Sequence, residues 1–238
     1  MKILNRIKLF LQNHVMVWII KKIYGIESCY DPNKILSALK NIKTVTLNDG
    51  SIYKSTKNLW DILAVIGTEY DLSDIKKTDI VLDIGANIGT ISIPLAIKAK
   101  HIFAVEPLYS EELQENIELN GISNVTVIPG ALGDGELTDI KYFDTIKYGI
   151  KTYSFKEILV MCGGKIDFLK CDCEGGEWYI NANDLDGIRR IEMEIHPTMY
   201  PTEKSNPELV HYIKDNWNTT KTVLDTTYNL HAKKIDKS

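Results

Sequence analysis

The stretch VLDIGANIGT, Val81 to Thr90, decides how this chain folds. A short run that is almost entirely apolar ends at an acid, Asp83, and then at two glycines, Gly85 and Gly89. An apolar run with no alternation belongs to a strand covered on both faces, the signature of a parallel sheet. Glycines at its end let the backbone turn tightly and approach a ligand closely. The run IGTISIPLAIKAK that follows has helical length and ends in lysines. The spacing Gly-Ala-Asn-Ile-Gly is neither the dinucleotide fingerprint nor a phosphate-binding P-loop, because the middle glycine and the Gly-Lys-Ser/Thr are missing. An acid at Asp83 would repel a pyrophosphate; it suits an ammonium or a hydroxyl.

The same rhythm continues outward from this strand. HIFAVEP reads as a second strand, SEELQENIELNG as a helix stopped by Gly121, and NVTVIPG as a third strand. SFKEILVMCGG reads as a helix, KIDFLKCD as a fourth strand from Ile166 to Cys171, and RRIEMEI as a fifth. NPELVHYIKDN is a last helix before two strand-like runs, TKTVLDT and TYNLHAKK. Alternating strands and helices predict an α/β, doubly wound domain with a mostly parallel sheet. Ligands of such sheets bind beyond the carboxyl ends of the strands, so the residues just after each strand carry the functional reading.

The second strand ends at Glu106, 23 residues after Asp83. An acid at that distance, on the tip of the second strand, can accept hydrogen bonds from ribose hydroxyls. A ribose-binding acid beside an ammonium-binding acid fits a nucleoside with a nearby cationic group, and S-adenosylmethionine has that form.

VLDIGANIGT, FAVEP, ENIELNG, PGALGD, FLKCDCEGGEW and IEMEIHP occur here in an order and spacing that resemble the FkbM family, S-adenosylmethionine-dependent O-methyltransferases of the Rossmann-like, seven-stranded class I methyltransferase fold. The resemblance covers Asp79 to Pro197, and the pair D-x-E-G-x-E and E-I-H-P is its specific part. It implies that Asp83, Gly85, Ala86, Asn87 and Gly89 surround the methionine portion of the donor and that Glu106 binds its ribose. The third strand departs from many relatives in the wider class, since Pro129 to Leu132 offers no acid for the adenine amino group. Backbone groups at Ala131 and Leu132, or Asp134, are expected there instead. The acceptors implied are hydroxyls of sugars, glycans or other small molecules.

The fourth and fifth strand ends hold the densest chemistry. In KCDCEGGEW, Asp172 falls at the strand tip, with Cys173 and Glu174 on the turn. Asp172 is read both as a cofactor contact and as a catalytic group. Cys-x-Cys is a poor zinc spacing without a second pair, so both thiols are read as bystanders. A Mg²⁺ held by Asp172 and Glu174 is a minor alternative, and no metal site is assigned. In RRIEMEIHP, Glu192, Glu194 and His196 alternate with apolar residues on what should be an inner strand, where glutamates need partners or an open end. Topology therefore brings Asp172, Glu174, Glu194 and His196 to one crevice. Transfer of a methyl group to a hydroxyl needs a base. His196 or Glu174 is expected in that role, with Glu194 orienting the histidine and Glu177 capping or pairing.

The chain has 238 residues, a formal net charge of -4, 44% apolar and 25% charged residues, and four cysteines (Cys29, Cys162, Cys171, Cys173). These values describe an ordinary globular chain with reduced thiols, and the reading places it in the cytoplasm. Net acidity disfavours a nucleic-acid partner. RNA methylation is kept as an alternative, because ISIPLAIKAKHIFAVEP also resembles the cofactor half of tRNA-modifying enzymes. No Asn-Pro-Pro or Asp-Pro-Pro-Tyr tetrapeptide stands at the fourth strand. A non-catalytic S-adenosylmethionine-binding module is a further alternative. Residues 1–75 are read as a substrate or oligomer region, and 76–238 as the cofactor-binding domain. Residues 1–40 are expected to be a basic, partly amphipathic helical arm suited to packing or homo-oligomer formation, or to peripheral contact with a membrane surface. Gln12, Asn13 and His14 interrupt its resemblance to a secretion signal. KTVTLNDGSIYKS reads as a hairpin around Asn-Asp-Gly, and a helix is expected over Leu59 to Val65.

Overall fold

The computed structural model describes residues 44–47, 49–54, 70–142, 145–197, 207–223 and 227–235. The expected N-terminal arm and the helix at Leu59 to Val65 lie outside these residues. The chain divides into two compact units, Met1–Lys57 and Asn58–Ser238. The division falls before the expected boundary at residue 75. In the first unit, β1 (Thr44–Thr46) and β2 (Ile52–Lys54) pair antiparallel, so the expected hairpin forms. Gly50 takes φ +87° in the turn, and Asp49 accepts hydrogen bonds from the backbone and side chain of Ser51.

The second unit runs β3 (Ile80–Ile84), α1 (Ser92–Ala96), β4 (His101–Glu106), α2 (Ser110–Leu119), β5 (Val125–Pro129), β6 (Ala131–Leu132), β7 (Leu137–Tyr142), β8 (Thr145–Tyr153), α3 (Phe155–Met161), β9 (Phe168–Cys171), β10 (Arg190–Ile195), α4 (Pro207–Asn216), β11 (Trp217–Val223) and β12 (Tyr228–Lys234). Seven strands form one sheet in the order β11-β12-β10-β9-β3-β4-β5. All of its pairings from β10 to β5 are parallel; β12 runs antiparallel to both its neighbours. This is the Rossmann-like, doubly wound class I methyltransferase fold. The winding goes outward from β3 through β4 to β5, then resumes on the other side with β9 and β10. That reversal puts the ligand crevice at the carboxyl ends of β3 and β9.

The apolar runs form these strands because both faces of the central ones are covered. Val81, Leu82, Ile84, Phe168, Leu169, Ile191 and Met193 are all buried. Packing at the first turn explains its glycines. Gly89, at φ +95°, lies where a Cβ would come within 3 Å of Leu113 on α2 and Ile93 on α1. Asn116 on α2 donates to the Ile88 carbonyl (2.9 Å), which fixes that helix against the turn. Helix α3 opens with a capping box between Ser154 and Glu157.

Two features depart from the sequence reading. The helix after the glycine turn is five residues long, shorter than the run IGTISIPLAIKAK. A three-stranded sheet, β6-β8-β7, occupies residues 131–153, for which no strands were expected. Its alternation is visible afterwards in IKYFDTIKYGIKTY, where apolar and polar residues take turns across the register Lys141↔Ile146 and Ile140↔Lys147.

Candidate active site

The glycine turn is held from several sides. Gly85 and Ala86 both donate their amides to the Val105 carbonyl on β4 (3.0 and 3.1 Å), so neither amide is spare for a ligand. Gly85 sits at φ +75° directly against β9's end: a Cβ there would lie 1.7 Å from the Asp172 carbonyl oxygen. This residue is glycine because two strand ends nearly touch. Asn87 adopts φ +52°, and its amide donates to Glu106 (2.7 Å). Glu106 also accepts from the amides of Leu108 and Tyr109 at the start of α2 (2.7 and 3.0 Å). A carboxylate offers about four acceptor positions. Three of them are used within the chain, which leaves one, on the oxygen facing Asn87. Burial raises the Glu106 pKa despite these three donors, which act in the opposite direction.

Asp83 corrects the reading of the first motif. Its carboxylate is fully buried, accepts from Ser92 (2.6 Å) and forms an ion pair with Lys170 on β9 (3.1 Å). The ammonium expected beside Asp83 is thus supplied by the chain itself. Lys170 also donates to the Gly85 carbonyl (2.8 Å). Burial alone would lower its pKa, but the charges of Asp83 and Asp172 outweigh burial and raise it. Sequence reasoning passed over Lys170. The signal was present, since a lysine inside an otherwise apolar inner strand must be paired.

Asp172, Glu174, Glu194 and His196 do come together. His196 follows β10, with its ring almost wholly buried. Its Nε2 lies 3.5 Å from Glu174, 3.7 Å from Glu194 and 3.9 Å from Asp172. Its other nitrogen, Nδ1, lies 3.1 Å from Glu177, which also accepts from the His196 backbone amide (2.7 Å) and the Gly175 amide (2.9 Å). The orienting partner of the histidine is therefore Glu177; the expectation that Glu194 plays this part is corrected. Glu194 is held by Thr227, and its other oxygen lies 3.5 Å from the Tyr70 hydroxyl. Tyr70 donates to Asp172 (2.9 Å). Neither Tyr70 nor Thr227 carried any sequence signal.

Charge settles what the histidine does. Burial alone would lower its pKa, but the hydrogen bond and charge of Glu177, then the charges of Glu174 and Asp172, push it up to about 9. In the free chain these neighbouring acids favour the protonated ring over the free base. Burial raises the pKa values of Glu174 and Glu194, and repulsion from Asp172 adds to the effect. Glu174 takes φ +54°, a left-handed conformation costly for a residue with a Cβ, and its carboxylate is the most exposed of the four.

The other strand-end assignments fare differently. Glu192, the remaining glutamate of β10, is an internal group: it meets Arg190 and His231 and accepts from the Asp71 amide (2.9 Å). Ala131 and Leu132 form β6 and pair with β8, and Leu132 is buried in the core. Asp134 turns back on its own loop and accepts from the Glu136 amide. Cys171 and Cys173 are free thiols 3.5 Å apart, and a hydrogen bond with Cys171, then burial, raises the Cys173 pKa.

No family model matches the chain. It is 30% identical over 113 residues to an uncharacterized RNA methyltransferase of Listeria innocua, covering 43% of this chain and 25% of that protein. It is 39% identical over 64 residues to the 23S rRNA (uracil(1939)-C(5))-methyltransferase RlmD of Klebsiella pneumoniae, covering 26% and 15%. The chain thus spans a quarter or less of the length of these two relatives. A solved structure of M. jannaschii TYW2 in complex with AdoMet aligns with a TM-score of 0.47 and 17% identity, over 81% of this chain and 86% of that one. These relatives overturn the exclusion of nucleic acid drawn from net acidity: curated sequences similar to this one are named as RNA methyltransferases. Bulk charge is a sum over the whole surface and says little about one face. Among the described residues no helix is long and apolar enough to cross a membrane.

Proposed function

We propose that this chain is an S-adenosylmethionine-dependent methyltransferase that acts on RNA. The observation that carries the reading is the crevice at the switch point, where the glycine turn, Glu106 and the strand-end acids meet. The names of the sequence relatives support RNA as the acceptor. The residues suit the donor in two respects. Glu106 keeps one acceptor position for a ribose hydroxyl. Asp172, Glu174 and Glu194 outnumber the cations around them, which suits a ligand carrying an ammonium and a sulfonium. Bound there, the donor supplies an electrophilic methyl group on a sulfonium that leaves as a neutral thioether.

A second reading concerns the accepting atom, and the carboxylate cluster favours it: transfer to a hydroxyl oxygen, in line with the FkbM resemblance of D-x-E-G-x-E and E-I-H-P. In this reading Glu174, half-exposed and 3.5 Å from His196, takes the hydroxyl proton. Asp172, anchored by Tyr70, orients the nucleophile. The raised pKa values of the Cys162 and Cys173 thiols make them poor nucleophiles.

The test is calorimetric binding of S-adenosylmethionine, followed by incubation of the enzyme with isotopically labelled donor and total cellular RNA. Digested nucleosides are then resolved by mass spectrometry. Label on a nucleoside supports the RNA reading, and label on the ribose supports oxygen transfer. No donor binding sinks the whole reading. Donor binding with label confined to material that survives nuclease sinks the RNA acceptor.

A further inference from the structure

We propose that Asp172, Glu194 and His196 form a site for one divalent cation of the kind that accepts both carboxylate and imidazole ligands, such as Mn²⁺. The site shares Asp172 and Glu194 with the acids of the methyltransferase reading, but its test does not depend on that reading. One carboxylate oxygen from each acid and one nitrogen of the histidine lie within 4.8 Å of one another.

Spacing is the first argument. His196 Nε2 is buried and aimed at the acids, yet its nearest oxygens stand at 3.5, 3.7 and 3.9 Å. All are too far for a normal N–H···O hydrogen bond, which spans about 2.7–3.2 Å. Ligands around a cation with bonds of about 2.1 Å are about 3.0 Å apart along an edge and about 4.2 Å apart across the centre. Within the ligand set, the separations of Nε2 from Glu194 (3.7 Å) and Asp172 (3.9 Å) fall between those values. These atoms are spaced to converge on something between them.

The groups behind the ligands are the second argument. In protein metal sites the ligating histidine gives its other nitrogen to a carboxylate or carbonyl, and ligating carboxylates are themselves held by donors. Here each candidate ligand has such a partner. Glu177 holds Nδ1 and the backbone amide of His196. Tyr70 takes one oxygen of Asp172 and leaves the oxygen nearest His196 open. Thr227 holds Glu194. Glu177 is fully buried, so the histidine is locked in direction.

The ligand set decides the class of ion. Two carboxylates and one imidazole favour a first-row divalent ion over Ca²⁺, which prefers oxygen alone. No thiolate joins them: Cys173 points to Glu177 instead. Asp172 keeps about a third of its side-chain surface exposed, so an ion has a path in from solvent and open positions toward the crevice.

The experiment uses the full chain, stripped with a chelator, and Mn²⁺ alone. Electron paramagnetic resonance titration should find one bound ion per chain. Asp172→Asn and Glu194→Gln should each weaken binding at least tenfold while the circular dichroism spectrum is unchanged. Tyr70→Phe should weaken it less, since it only loosens a ligand. Amide NMR of the wild-type chain gives a readout that needs no variant: Mn²⁺ should broaden the resonances of residues 172–174 and 194–196 first. The proposal is overturned if no ion binds at millimolar Mn²⁺. Stoichiometric binding that survives both substitutions, or broadening centred elsewhere, overturns it equally.

Discussion

Replacing Lys170 by methionine should destabilise the chain more than most single substitutions in it. Methionine keeps the length and apolar stem of lysine and removes the charge. Asp83 would then be a fully buried carboxylate with only the Ser92 hydroxyl as partner. Removing one member of a buried ion pair costs about 3–5 kcal/mol, because the other charge is left uncompensated. Domains of ordinary stability have about 5–15 kcal/mol in total. For a chain of this size the loss lowers the melting temperature by roughly 6–20 °C. Asp83→Asn should also destabilise the chain, since Lys170 would lose its paired carboxylate and keep the carbonyls of Gly85 and Ile84 and the charge of Asp172. The double variant removes both charges and leaves no orphan. It should be far less destabilised than the sum of the two single variants, with a coupling energy of about 2 kcal/mol or more. The assay is urea unfolding followed by circular dichroism for the four proteins of the cycle. Additivity to within about 0.5 kcal/mol would refute the reasoning, because it would mean that the two charges do not sense each other.

Three further outcomes follow from the same geometry. Gly85→Ala should cost several kcal/mol and displace Asp172, since its Cβ would overlap the Asp172 carbonyl oxygen; Gly121→Ala, also left-handed but with open space around it, should cost only about 1 kcal/mol. Paired urea titrations and donor binding separate the two. Glu177→Leu should lower stability by about 3 kcal/mol, because the amides of Gly175 and His196 and the imidazolium all lose their buried acceptor; a loss under about 1 kcal/mol in urea unfolding would contradict the assignment. In metal-free protein, stability should fall between pH 6.5 and 9.5. The folded pKa of His196 is raised to about 9 from 6.5, so its contribution is complete below 6.5 and lost as pH rises through 9. The raised pKa values of Glu174 and Glu194 act in the same direction, but from 4.5 upward. A ceiling of about 3 kcal/mol applies to the histidine alone, and His196→Gln should flatten the urea midpoint across that window.

Much of this was legible because a buried parallel strand writes itself as an uninterrupted apolar run, and each run here ends at its chemistry. The order of strand tips follows from winding rules, so the meeting of Asp172, Glu174, Glu194 and His196 could be read without coordinates. Partnership was less legible. Glu192 and Glu194 look equivalent in RRIEMEIHP, yet one is sealed by Arg190 and His231 and the other opens on the crevice. That difference depends on where β12 and the Tyr70–Asp71 segment lie, and no local pattern encodes it. The sheet β6-β8-β7 was missed for another reason: its strands alternate without a buried face long enough to stand out, and the exposed Leu137, Ile146 and Tyr148 read as loop.

The strand-end residues divide into those that build the crevice and those that face it. Asp83, Lys170 and Glu177 have almost no exposed surface, and nearly every polar position they offer is used inside the chain; Glu106 is as buried but keeps one acceptor position. Asp172, Glu174 and Glu194 keep surface toward solvent, carry mutual repulsion, and in Glu174 an unfavourable backbone conformation as well. Chains keep such locally unfavourable features where they serve a site and offset them elsewhere. Here the offset is the locked frame behind the acids. Substituting the frame should therefore change stability and ligand binding together. Neutralising one of the facing acids should relieve repulsion, so that Glu174→Gln weakens methyl transfer while the fold becomes no less stable.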